Sequence, residues 1–257
     1  MNVTNLVFYS GGLSSAVSAL WIRENLPGKL HLLFTDTLSE DQDLYRFLDE
    51  SIDVIKPDGV THLTQGMNVW DMFFRERFLG NSRIDPCSKY LKRVPARQWI
   101  LERYKPENTV LHFGIHWSEE ERLVNIKDNW QPFTVRSVLC EIDGLFIDAK
   151  DIRKYWETKT DVKVPRLYDM GFAHNNCGGF CIKAGQKHFK NLLDQMPERY
   201  NYHAHKEQQI RHYLEKDITI LRKQVDGVKH KVTLKEFAQN KGETNETECN
   251  SCRCFAI

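Results

Sequence analysis

The chain has 257 residues, 41% hydrophobic and 28% charged, with 36 Lys and Arg against 35 Asp and Glu and a formal net charge of +1. That length suits one large α/β domain, or one domain with an appendage, and the balance excludes both a poorly hydrophobic disordered chain and a global basic field for nucleic acid. No apolar run is long enough to span a bilayer and no charged-then-apolar leader is visible, so a cytoplasmic protein without a membrane partner is expected.

The pattern predicts a short strand over residues 6–9, followed at once by Ser10-Gly11-Gly12-Leu13-Ser14-Ser15 and a helix over 14–24 that stops at Pro27-Gly28. A strand, a tight glycine turn and a helix N-terminus make an anion site. Glycines let backbone N–H groups approach an oxyanion, the helix dipole favours negative charge, and the hydroxyls of Ser10, Ser14 and Ser15 add donors. No Lys follows the glycines, so this is not a Walker loop. A second strand over 30–34 ends in Thr35-Asp36-Thr37, and a helix follows over 41–55. Two strands joined through a helix form a parallel, right-handed unit whose ligands sit beyond the carboxyl ends of the strands. Ser10 and Asp36 both belong there.

A third strand is expected over 60–63 and a core helix over 70–78. Cys87 then opens a helix in Asp85-Pro86-Cys87-Ser88-Lys89-Tyr90-Leu91-Lys92-Arg93, where the dipole favours a thiolate and Lys89, Lys92 and Arg93 offer charge to phosphate or sulfate. A fourth strand over 110–114 leads into Ser118-Glu119-Glu120-Glu121-Arg122, which reads as a capping box of Ser118 with Glu121. Residues 136–147 read as two short strands around Asp143-Gly144, with Cys140 as inert core, and 148–157 as a helix. Residues 165–185 are dense in Gly, Asn and Cys and carry Cys177 and Cys181, near enough to share an ion. Two helices follow within 186–224, the most basic region, most simply a solvated face, with His203 and His205 read as surface residues. A hairpin over 222–233 turns at Asp226-Gly227, a short helix covers 234–240, and a polar stretch leads to Cys249, Cys252 and Cys254.

These stretches resemble the adenine nucleotide alpha-hydrolase (PP-loop) superfamily, and within it the phosphoadenosine phosphosulfate (PAPS) reductase-like family, including a phage-encoded branch. The loop at 10–15 is similar to its Ser-Gly-Gly-x-x-Ser, residues 34–40 to its strand-end Phe-x-Asp-Thr-x-x-Glu, Cys87 to Lys92 to its Cys-x(4)-Lys, and Gly114, Glu119 and Arg122 to its Gly-x(4)-Glu-x-x-Arg. The resemblance implies a doubly wound, mainly parallel, Rossmann-like sheet of five or six strands over residues 1–185, with a helical, hairpin and Cys-rich extension over 186–257. It implies an enzyme that binds ATP, PAPS or adenylylsulfate through Ser10, Gly11, Gly12, Ser14 and Ser15, with Asp36, Gly114 and Glu119 around the nucleotide. Lys92, Arg122 and the tail thiols Cys249, Cys252 and Cys254 stand where catalysis would occur. Cys87, Cys177, Cys181, Cys252 and Cys254 would hold an iron–sulfur cluster or zinc, or transfer sulfur. Two chemistries stay open: α-phosphate cleavage with adenylation of an acceptor such as a nucleic acid, or thiol-dependent reduction with a thiol carrier. Ser14 stands where many ATP pyrophosphatases have an Asp that helps hold Mg²⁺, which also leaves open a module that binds or senses an adenine nucleotide without turnover.

Overall fold

The computed structural model describes residues 3–81, 84–142, 144–225 and 228–240. Five strands, β1 (Thr4–Phe8), β2 (Lys29–Asp36), β3 (Gly59–Thr64), β4 (Thr109–Phe113) and β5 (Thr134–Arg136), form one sheet in the order β3-β2-β1-β4-β5. Every neighbouring pair is parallel, with Thr4 opposite Lys29 on one side and Thr109 on the other. The connections carry helices α1 (Leu13–Asn25), α2 (Gln42–Ile55), α3 (Val69–Arg75), α4 (Val94–Arg103) and α5 (Glu121–Trp130), as parallel strands require.

The period of two along each strand divides the core. Val7, Tyr9, Leu30, Leu32 and Phe34 face one side and pack with α1, α2, α6 (Val138–Glu141) and α7 (Ala149–Lys159). Leu6, Phe8, Leu33, Leu111 and Phe113 face the other and pack with α4 and α5. The fold is therefore α/β and doubly wound. A third cluster joins Trp70 and Phe73 of α3 to Leu167 of α8 (Arg166–Asp169), Phe189 of α9 (Gln186–Gln195), Tyr200 and Ile210 of α10 (Pro197–Leu214), and Phe237 of α11 (Leu234–Gln239). An antiparallel hairpin of β6 (Leu221–Val225) and β7 (Val228–Val232) is rooted in it. No helix among the described residues is long and apolar enough to cross a membrane.

Three local expectations change. Residues 138–141 are helical, not a strand of a hairpin: Ser137 turns the chain back by bonding through its hydroxyl with Ile115, and Val138, Leu139 and Cys140 are buried. Ser118 does not cap α5. It sits inside a 3-10 turn (Trp117–Glu119), where its hydroxyl pairs with His116 Nδ1 at 2.9 Å. His203 is not a surface residue: it is 3% exposed, accepts the Trp70 indole N–H on Nδ1 at 2.9 Å and stacks on Phe180 at 3.7 Å.

Candidate functional site

β1 ends at Phe8, buried Tyr9 follows, and the chain turns through Gly11, whose φ of +70° suits glycine. A Cβ there would also lie 2.8 Å from the Leu44 side chain of α2. Ser15 then fastens the loop. Its hydroxyl donates to the Gly12 carbonyl at 2.7 Å, accepts the Ser10 N–H at 3.2 Å, and lies 3.2 Å from the Ser10 hydroxyl. The Gly12 N–H donates to Ser10 Oγ at 3.3 Å and the Leu13 N–H to Tyr168 Oη at 3.1 Å.

The next two amides are open. The N–H groups of Ser14 and Ser15, in the first turn of a 13-residue helix, have no acceptor among the described residues. Gly12 provides no side-chain cap, and the first turn carries no acidic residue. The positive end of a buried helix therefore stays available to an anion.

That end opens into a cavity of about 700 Å³. It lies between the carboxyl ends of β1 and β4, where the order β3-β2-β1-β4-β5 reverses direction, which is where ligands of such sheets bind. Phe8 and Phe113, stacked at 4.2 Å, line it with Ile115 and Ile126 and give it an apolar wall. Gly114 brings β4 against α1: a Cβ at this position would stand 2.7 Å from the Ser15 nitrogen. Beyond it, Glu119 accepts from Arg122 at 2.7 Å and lies 3.5 Å from His116 Nε2. Across the cavity stand Lys150 and Arg153 of α7, Tyr168, and residues 173–176. Arg153 is paired with Glu157 and Asp169, both at 2.7 Å, whereas the Lys150 ammonium has no acidic partner among the described residues. Asn175, 2% exposed, donates to the Gly11 carbonyl at 3.2 Å, while its Oδ1 is a buried acceptor without a partner.

Of the residues singled out by sequence, Ser10, Gly12, Ser14, Ser15, Gly114, Glu119 and Arg122 all line this one cavity. Gly11 lies behind the loop. Asp36 is not among the lining residues; its Oδ1 accepts the Leu38 N–H at 2.7 Å and the Tyr45 hydroxyl at 2.9 Å. Lys92 is buried, 3.6 Å from Glu40. Cys87, Cys177 and Cys181 do converge, on a separate cavity of about 10 Å³ walled by Val69, Phe73 and Phe180 and by the Asp85–Lys183 pair at 3.6 Å. Among the described residues no three His, Cys, Asp or Glu are arranged to hold a metal ion. The set expected to hold an iron–sulfur cluster or zinc also includes Cys252 and Cys254. Cys249, Cys252 and Cys254 lie outside the described residues.

Sequence reasoning passed over Tyr168, Asn175, His116, Lys150 and Arg153 as site residues. Tyr168 and Asn175 stood in the Gly- and Cys-rich block, where the cysteines drew attention. Lys150 and Arg153 are indistinguishable in sequence from a solvated helix face.

No family model matches the chain and no curated protein matches it. Among solved structures, the phosphoadenylyl-sulfate (PAPS) reductase from Candida auris, in its phosphate complex, is similar with a TM-score of 0.46 and 16% identity, over 67% of this chain and 79% of that one.

Proposed function

We propose that this protein is an adenine-nucleotide enzyme of the PAPS reductase-like kind. The observation that carries the reading is the uncapped N-terminus of α1, with the Ser14 and Ser15 amides open, facing a cavity at the switch point of the sheet. In this reading those amides and the Ser10 and Ser14 hydroxyls hold a phosphate or sulfate of ATP, PAPS or adenylylsulfate. The apolar wall of Phe8, Phe113 and Ile126 takes the base, and Arg122, oriented by Glu119, meets charge that develops on the reacting oxyanion.

Two chemistries are open to this site, α-phosphate cleavage and thiol attack on an adenylated sulfate. No cysteine among the described residues lines the cavity, so thiol attack on an adenylated sulfate would fall to the tail cysteines alone. In α-phosphate cleavage an acceptor oxygen forms a bond to the α-phosphorus as the bond to pyrophosphate breaks, and the pyrophosphate leaves with the electron pair. Incubation with ATP and Mg²⁺, and separately with PAPS and a dithiol, distinguishes them. Pyrophosphate from the first supports cleavage, and sulfite from the second supports reduction. Binding of either nucleotide without product supports a non-catalytic module, and no binding of either overturns the proposal.

A further inference from the structure

The hairpin that follows α10 has a composition that folding does not explain. Its register sets Leu221 opposite Val232, Arg222 opposite Lys231, Lys223 opposite His230, Gln224 opposite Lys229 and Val225 opposite Val228. Only Leu221 and Val232 are buried; the other described residues of both strands are exposed. The ribbon is thus held at its root, by those two side chains and by Gln186 Nε2 donating to the Arg222 carbonyl at 2.7 Å, and the rest stands off the body. Alternation places Arg222, Gln224, Lys229 and Lys231 on one face and Lys223, His230, Val225 and Val228 on the other.

Like charges directly opposite one another destabilise a strand pair, yet here Arg222 stands opposite Lys231, Lys223 and Lys229 lie close by, and no described residue of either strand is acidic. Lys231 finds Asp217 at 3.0 Å, but Arg222, Lys223 and Lys229 have no acidic partner among the described residues. One lysine on each edge is enough to deter edge-to-edge pairing. The whole chain carries only +1, so this is a local concentration of charge.

We propose that the β6–β7 ribbon is a docking element for double-stranded DNA, seated in the major groove with its cations on the flanking phosphates. The B-form major groove, about 12 Å wide, admits a two-stranded ribbon, whereas the A-form groove of duplex RNA is too deep and narrow. Cations on both faces match phosphates on both walls, and the exposed Val225–Val228 pair presents methyl groups to base edges, thymine methyls included. The proposal does not depend on what the cavity binds.

Fluorescence anisotropy of the full chain with a labelled DNA duplex tests it, titrated between about 50 and 200 mM salt, where phosphate contacts show as a steep loss of affinity. An RNA duplex of the same sequence and phosphatidylserine vesicles serve as competitors. Lys223→Glu combined with Lys229→Glu is expected to weaken DNA binding at least tenfold and to flatten the log–log salt slope by roughly two. Lys105→Glu, on an exposed loop elsewhere, leaves both unchanged, and matching circular dichroism spectra establish that the variants are folded. Absence of wild-type binding at the lowest salt overturns the proposal. So does equal affinity for the RNA duplex, stronger competition by vesicles than by unlabelled DNA, or an unaffected double variant.

Discussion

Glu40 shows how one residue can be visible in a sequence motif and still have no role legible there. It is 6% exposed, accepts the Thr37 hydroxyl at 2.9 Å and the Cys177 N–H, and lies 3.6 Å from the Lys92 ammonium. It thereby ties the end of β2 to two distant segments. Cys177 holds a φ of +51°, a costly conformation for a residue with a Cβ, and the Glu40 bond helps to retain it. Glu40→Ala removes one half of a buried ion pair and is expected to cost roughly 3 kcal/mol or more, read from urea unfolding. An unchanged midpoint contradicts the strut role. The spacing from Phe34 to Glu40 announced carboxylates beyond β2. It could not say which way each side chain points, and Glu40 was left without a role.

At the scale of elements, the junction of β4 with α1 is the tightest part of the site. A Cβ on Gly114 would meet the Ser15 nitrogen at 2.7 Å and the Ser14 carbonyl carbon at 2.8 Å, and neither backbone atom can swing aside. Gly114→Ala is expected to push β4 from α1, destabilise the fold by about 1–3 kcal/mol, and weaken nucleotide binding at least tenfold in calorimetry. Intact affinity contradicts the placement of the ligand between these two elements. The strand–helix alternation was legible here because apolar runs, Ser-Gly-Gly and Pro-Gly mark each boundary. Helix α6 was not, since the four residues Val-Leu-Cys-Glu fit a strand as well as a single helical turn, and the bonds of Ser137 and Cys140 to Ile115 lie outside any local pattern.

For the molecule as a whole, buried titratable groups set the acid limit. Burial pushes His112 down to about 3 and His188 to about 4, and holds His203 well below the usual imidazole range. Such groups favour the folded state above the unfolded value near 6.5, and this stability is lost as pH falls towards their folded values. Glu207, pushed up to about 7 by burial, acts in the opposite sense, favouring the folded state as pH falls from 7. Between pH 7 and about pH 5 His112 and His188 together remove roughly 4 kcal/mol, Glu207 returns roughly 2, and His203 adds to the loss. The urea midpoint is therefore expected to be lower at about pH 5 than at 7, and an equal or higher midpoint contradicts this assignment. The sheet was legible at this scale because its strands announce themselves by local pattern. The cluster uniting Trp70, Phe180 and His203 was not, because Trp70 meets the other two from more than a hundred positions away in the chain, and no periodicity encodes such a meeting.

Everything proposed for the site depends on an oxyanion of an adenosine-containing molecule resting on the first turn of α1. The direct measurement is titration calorimetry of ATP and PAPS against the wild-type chain and Gly12→Asp. A Cβ at Gly12 would stand 3.3 Å from the Ser10 and Tyr168 hydroxyls, which must give by a few tenths of an ångström, and the variant adds a negative charge at the loop. Saturable wild-type binding of at least one nucleotide that falls at least tenfold in Gly12→Asp is the predicted result. Equal affinity in the two proteins, or no binding by the wild type, contradicts the account.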